Sequence, residues 1–249
     1  MKARFPLLII VLGLNFISCS SYKKISYFQD LNQSAPTIEQ IKNFTPITVQ
    51  PEDILGISIS SLNPESSAVF NFASNSANGT NENYGGYLVD QQGQILLPII
   101  GSMKVANMTT QQVREQVRLK LLAYLKEPAV IVRLLNFKIS IIGDVAAPGV
   151  FKVQNERLTL TEALGLSGDL NITALRKILI IREIDGNREY IPVDLSKKDV
   201  FNSSYYYLKN NDVLYVQAGR AKYAAVDRTL PKISLLLSVI SVAAIFFVR

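Results

Sequence analysis

The sequence predicts an α+β protein: two small domains set between an N-terminal export signal and a C-terminal transmembrane helix. Three observations carry this. The chain has 249 residues and is 48% apolar, but much of that excess sits at its two ends. Between residues 44 and 219, short alternating runs bounded by Gly, Pro and Asn outnumber helical patterns, as in a small sheet-rich domain pair. Chemistry-bearing side chains are scarce, with no His, no Trp and one Cys. The commonest general base and metal ligand is missing, and one Cys excludes an intrachain disulfide or a Cys-rich zinc site. No catalytic residue, metal ligand or cofactor is expected.

Residues 1–18 open with Lys2 and Arg4, continue as an apolar run over 5–14, and end in small residues before Cys19. That order is a secretory signal, and a run of roughly 10 residues is too short to span a bilayer core of ~30 Å. The Ile17-Ser18-Cys19 junction resembles a bacterial lipobox, which makes Cys19 the lipidated first residue of the mature chain. Phe16 departs from the usual Leu. Acylation also removes the liability of a lone thiol in an exported protein. Residues 19–45 read as a polar tether. Loss of 1–18 takes away two of the basic residues and no acid, so the mature chain keeps +4 of its +6 net charge. No Arg/Lys stripe interleaves with aromatics, so no nucleic-acid partner is expected.

The first domain is expected over 46–135. Pro51-Glu52-Asp53 is a turn before the alternating strand 54–60. Residues 63–86 form an Asn/Ser/Gly-rich excursion with a short helix around 66–72. Gln91-Gln92-Gly93 predicts a hairpin between 86–90 and 94–98. Thr109-Thr110-Gln111-Gln112 is a capping-box pattern for a helix that runs towards Pro128, and 129–135 is a buried strand. The second domain is expected over 136–218. It has a strand at 138–145, a turn at Pro148-Gly149, a helix capped by Thr159 with Glu162, and strands at 178–182, 190–195 and 213–216. This is a β-grasp-like order of elements.

Within these domains Glu52, Asp53, Asp90, Asp144, Asp194 and Asp212 could supply an acid and base pair, but most stand beside turns, where Asp caps backbone N–H groups. Tyr205-Tyr206-Tyr207 could stack on sugars. Neighbouring strand positions face opposite ways, so edge packing is the better reading. Gly143 and Gly149 lack the following Lys and helix of a phosphate loop and read as turn glycines.

Residues 219–249 are a linker and a transmembrane helix. The run 233–248 holds 16 residues without charge, about 24 Å as a helix, which suits a thinner outer membrane. Ser234, Ser238 and Ser241 fall on one helical face, suited to helix packing or to a wet lumen. A single tail anchor with accidental Ser spacing is the plainer alternative.

The Val49-Gln50-Pro51-Glu52-Asp53-Ile54-Leu55 turn, Gly86-Tyr87-Leu88-Val89-Asp90, Leu97-Pro98-Ile99-Ile100-Gly101 and the helix begun by Thr109 resemble the polysaccharide biosynthesis/export domain of Wza-type outer-membrane polysaccharide export proteins. Ile142-Gly143-Asp144-Val145, Pro148-Gly149-Val150-Phe151 and Asn211-Asp212-Val213 resemble the soluble-ligand-binding β-grasp (SLBB) domain that follows it in that family. Glu52 stands where the family usually has Gly, Ser167-Gly168-Asp169 replaces a Gly-Gly pair, and only one ligand-binding-type domain is present. The resemblance implies a lipid-anchored outer-membrane subunit with periplasmic domains. It further implies a homo-oligomeric ring that conducts capsular or exopolysaccharide, with an inner-membrane polysaccharide co-polymerase as partner. The alternative is a monomeric glycan-binding envelope lipoprotein without a pore.

Overall fold

The computed structural model describes residues 25–32, 34–71, 85–184 and 186–226. They form two units, each with its own core: a three-stranded sheet with a separate two-stranded ribbon in the first, and a five-stranded sheet in the second. In the first, strand β1 (Ile54–Ser60) is followed by the short helix α1 (Pro64–Ala68), β2 (Tyr87–Leu88), β3 (Gln94–Leu97), β4 (Gly101–Lys104), helix α2 (Thr110–Leu121) and β5 (Ala129–Leu134). The sheet order is β2-β1-β5, with β1 antiparallel to β5 from Leu55↔Leu134 to Ser60↔Ala129. Alternation in β1 sends Leu55, Ile57 and Ile59 to one face, and Val130 and Val132 of β5 join them there. Val113, Val117 and Leu121, at helical spacing on α2, close over that face, since burying apolar area is what holds a short helix on a sheet.

The Thr109 capping box forms: the Thr109 hydroxyl accepts from Gln112 N, and the Gln112 side chain accepts from Thr109 N. The expected hairpin is displaced. Strand 94–97 pairs with 101–104, while 87–88 pairs with β1. The reversal lies at Pro98-Ile99-Ile100, where Ile99 (φ 66°) and Gly101 (φ 83°) take left-handed backbone. Gln91-Gln92-Gly93 makes only a tight turn, with Gly93 N bonding Asp90 O and Asp90 Oδ1 accepting from Gln94 N at 2.8 Å.

The second sheet uses β6 (Lys138–Gly143), β7 (Gly149–Lys152), helix α3 (Leu160–Leu166), β8 (Ala174–Ile184), β9 (Asn187–Asp194) and β10 (Val213–Ala218), with helix α4 (Arg220–Val226) after it. The order is β7-β6-β10-β8-β9, with β10 parallel to β6 and the other pairs antiparallel. A hairpin, a helix across the sheet, then a last strand entering the middle beside the first is the β-grasp arrangement. Leu160, Ala163 and Leu164 of α3 pack on Ile139, Ile141, Ile180 and Leu214.

Two expectations need correction. No C-terminal transmembrane helix is found: among the described residues no helix is long and apolar enough to cross a membrane. The last described helix, α4, has seven residues and carries Arg220 and Lys222, and the apolar run 233–248, with Ser234, Ser238 and Ser241, lies outside the described residues. The polar segment read as a tether lies, from Ile25 onward, along the β-grasp sheet. Phe28 N bonds Leu195 O at 3.1 Å and Gln29 N bonds Ser196 O at 2.7 Å. Asn43 Nδ2 bonds the carbonyls of Phe201 and Ser203. The strap then reaches the first domain, where Val49 N bonds Met108 O.

Candidate functional site

Each aspartate raised by the sequence has its own structural partners, while Glu52 is bonded through its backbone. Asp53 Oδ2 accepts from Gln50 N at 2.8 Å and its Oδ1 from Asn210 Nδ2 at 2.7 Å. Burial raises its pKa from the ordinary 3.8, against the lowering by those two hydrogen bonds. Asp194 Oδ1 accepts from Ser196 N and Oγ, and Asp90 holds its turn. Asp212 takes the Arg182 fork at 2.8 and 2.6 Å, with Lys209 N on Oδ2 at 2.7 Å. A pair for general acid and base work needs two carboxylates around one reacting atom, and these do not converge. Among the described residues no group of His, Cys, Asp or Glu is placed to hold a metal ion.

The bond from Asn210 to Asp53 joins the two domains. Asn136, between them in sequence, donates Nδ2 to Glu52 O at 3.0 Å and accepts Ile54 N on Oδ1 at 2.9 Å. Asn210 Oδ1 also accepts Lys138 N. Two amide side chains thus tie the 52–54 turn to the start of the β-grasp sheet.

The three tyrosines do not form a platform. Tyr206 meets Tyr207 edge-on at 5.4 Å and Phe201 at 5.5 Å, its hydroxyl 2.9 Å from Thr161 Oγ1. Phe44 of the strap stands edge-on to Tyr207, and Arg182 lies over Tyr205. Each of the three rings thus has a contact within the protein. Beside them a groove of about 280 Å³ is lined by Thr45, Ile47, Arg182, Glu189, Tyr205 and Lys209, among others. It is smaller than most pockets that enclose a small ligand, and the Arg182 fork is already spent on Asp212.

A polar cluster the sequence did not signal lies where the strap and α4 meet. Asp144, 1% exposed, accepts from Asn171 Nδ2 (2.9 Å), Thr173 Oγ1 (2.6 Å) and Lys222 Nζ (2.6 Å). Arg176 donates Nε to Ile25 O at 2.6 Å and lies over the Tyr27 ring at 4.9 Å. Tyr27 donates its hydroxyl to Asp169, and burial first, then that bond, holds its pKa well above the ordinary phenol value. Partners so distant in sequence leave no spacing to read.

Burial pushes the Asp144 pKa up, but the hydrogen bonds from Lys222, Thr173 and Asn171 outweigh it and leave the carboxyl below its ordinary 3.8. A depressed folded value adds stability above the unfolded pKa, and that stability is lost as pH falls through the folded value. Lys222→Ala is therefore expected to loosen α4 at neutral pH, with the difference from the parent shrinking below 3.8. Hydrogen exchange of α4 across an acid series reads this, and a difference of constant size into strong acid would contradict it.

Residues 42–135 match the family described as polysaccharide biosynthesis/export protein, and residues 137–216 match the SLBB domain. The chain belongs to the Wza-type outer-membrane polysaccharide export family. The EPS I polysaccharide export outer membrane protein EpsA of Ralstonia solanacearum is 35% identical over 94 residues, 36% of this chain and 25% of that protein. Its counterpart in Ralstonia nicotianae is 34% identical over 91 residues, 35% and 24% of the two chains. The match thus spans about a quarter of each curated relative. Within this export-family chain Asn136 is the residue between the two matched domains, where it clips the turn to the sheet. Cys19 lies outside the described residues, as do Ser234, Ser238 and Ser241.

Proposed function

We propose that the protein is a subunit of an oligomeric outer-membrane channel that exports capsular or exopolysaccharide. The observation that carries this reading is the ordered pair of domains, polysaccharide export then SLBB, over residues 42–216. Cys19 carries the acyl anchor, the two domains stand in the periplasm, and an inner-membrane polysaccharide co-polymerase meets them there. Passage is passive, which fits carboxylates that are spoken for by backbone and side-chain partners. The two cavities described within one chain, about 280 and 270 Å³, are far too small for a polymer, which supports a lumen between copies.

Mass measurement of the full chain in mild detergent tests the ring. A mass of several subunits, together with loss of surface polysaccharide when the gene is deleted, is the expected result. A chain that stays monomeric in every detergent and at every concentration is a glycan-binding lipoprotein instead.

A further inference from the structure

The strap's first described residue and the last described helix meet at one loop of the β-grasp domain. Arg176, which holds Ile25 O, also donates to Asn171 O and Ala174 O at 3.2 and 3.0 Å. Asn171 and Thr173 share Asp144 with Lys222 of α4, and Gly219 N bonds Thr173 O at 2.7 Å. Residues 171–176 therefore lie between the strap's origin and α4.

This end of the domain is apolar where it is most exposed. Ile172 is 75% exposed, Tyr223 on α4 is 60% exposed and Leu175 is 41% exposed. A β-carbon added at Gly219 would lie 3.4 Å from Leu175 Cδ2, which places Leu175 against the start of α4. Lys177 and Arg220 are exposed beside them, and Lys222 is half-exposed. Bare aliphatic tips and a tyrosine, with the basic residues Lys177, Arg220 and Lys222 on the same elements, match the chemistry of a phospholipid headgroup layer, which takes apolar side chains below and cationic ones at its surface.

Chain length supports the same occupant. Cys19 precedes Ile25 by six residues, which span at most about 20 Å fully extended. Whatever surface holds Cys19 lies within that reach of Ile25, and Ile25 is bonded to the residue that follows Leu175.

We propose that the 171–173 loop, the start of β8 and α4 rest on the phospholipid leaflet that carries Cys19, with Ile172, Leu175 and Tyr223 in its headgroup layer. This rests on the reading of Cys19 as acylated. The chain has no Trp, so one introduced tryptophan reports on its own site. Full-length acylated protein with Ile172→Trp, and separately Tyr223→Trp, is reconstituted in phosphatidylethanolamine and phosphatidylglycerol vesicles doped with bromine-labelled lipid. Leu96→Trp, on the β3–β4 hairpin of the other domain, is the comparison.

Reporters at 172 and 223 are expected to shift to the blue and lose most of their emission to bromine, while the one at 96 keeps its own. Equal quenching at all three sites, with acylation of Cys19 verified by mass spectrometry, overturns the proposal and leaves the anchor intact. A blue shift at 172 without bromine quenching means burial against protein, and also overturns it. An unmodified Cys19 in the native chain removes the anchor reading and this proposal with it.

Discussion

Arg182→Met is expected to destabilise the β-grasp sheet by about 3–5 kcal/mol, because it leaves Asp212 charged, buried and without its counter-ion. Asp212 is fully buried and Arg182 is 4% exposed. The guanidinium grips both carboxylate oxygens from near the C-terminal end of β8, and its Nη2 also donates to Tyr207 O at 3.3 Å. Lysine cannot reproduce that fork, so Arg182→Lys is expected to fall between parent and Arg182→Met. Adding Asp212→Asn to Arg182→Met removes the stranded charge and should recover part of the loss. Two domains need not unfold as one step, so hydrogen exchange in β8 and β10 is the measurement to make. A loss under about 1 kcal/mol in Arg182→Met would show that water or a neighbouring cation compensates Asp212 in a way these contacts do not provide.

Gly143→Ala is expected to cost about 3 kcal/mol or more, by steric overlap and by backbone strain together. Gly143 has φ 104°, and a β-carbon there would sit 1.9 Å from Val216 O. That carbonyl accepts the Asp144 N–H at 2.9 Å, and Gly143 pairs with Val216 where β6 meets β10. The methyl group therefore pushes apart the one parallel strand pair of the sheet and moves the carboxylate that holds Lys222. Gly149→Ala is the matched comparison. Gly149 has open space around its α-carbon and is expected to change stability by no more than about 0.5 kcal/mol. Thermal unfolding of the two variants beside the parent decides the matter, and equal midpoints for both would refute the account.

Much of the local structure was written in neighbouring residues. The Thr109 and Thr159 capping boxes form as their spacing implies, since the cap and its partner are three residues apart on one chain. The alternation of β1 and the β-grasp order of elements were legible for the same reason. The hairpin was misplaced because two signals competed. Gln91-Gln92-Gly93 looked like the reversal, yet the left-handed backbone that turns the strand is supplied by Ile99 and Gly101, and a β-branched residue is rarely chosen for that conformation. Gly143 and Gly149 looked alike as turn glycines, and only the facing carbonyl of Val216 tells them apart.

The candidate site was less legible. The carboxylates were read as turn caps, and Asp53, Asp90 and Asp194 do accept from backbone N–H groups two to four residues away, because an Asp beside a turn has N–H groups within reach whatever the tertiary fold. The partners of Asp144 and Asp212 were beyond reading: Lys222 and Arg182 lie 78 and 30 residues from them in sequence. The strap was missed because residues 25–45 are mostly polar, and polar composition resembles a tether whether or not its backbone bonds to a sheet.

By itself, then, the sequence determined most of the strands and helices of the two domains, where two of the helices start, and which family the chain joins, because those properties depend on residues a few positions apart. The tertiary structure decided which carboxylates are neutralised and by whom, that the strap lies on the β-grasp sheet, and that Ile25 and α4 meet at one loop. Those outcomes depend on contacts between residues up to 168 positions apart, and such contacts exist only once both cores have closed.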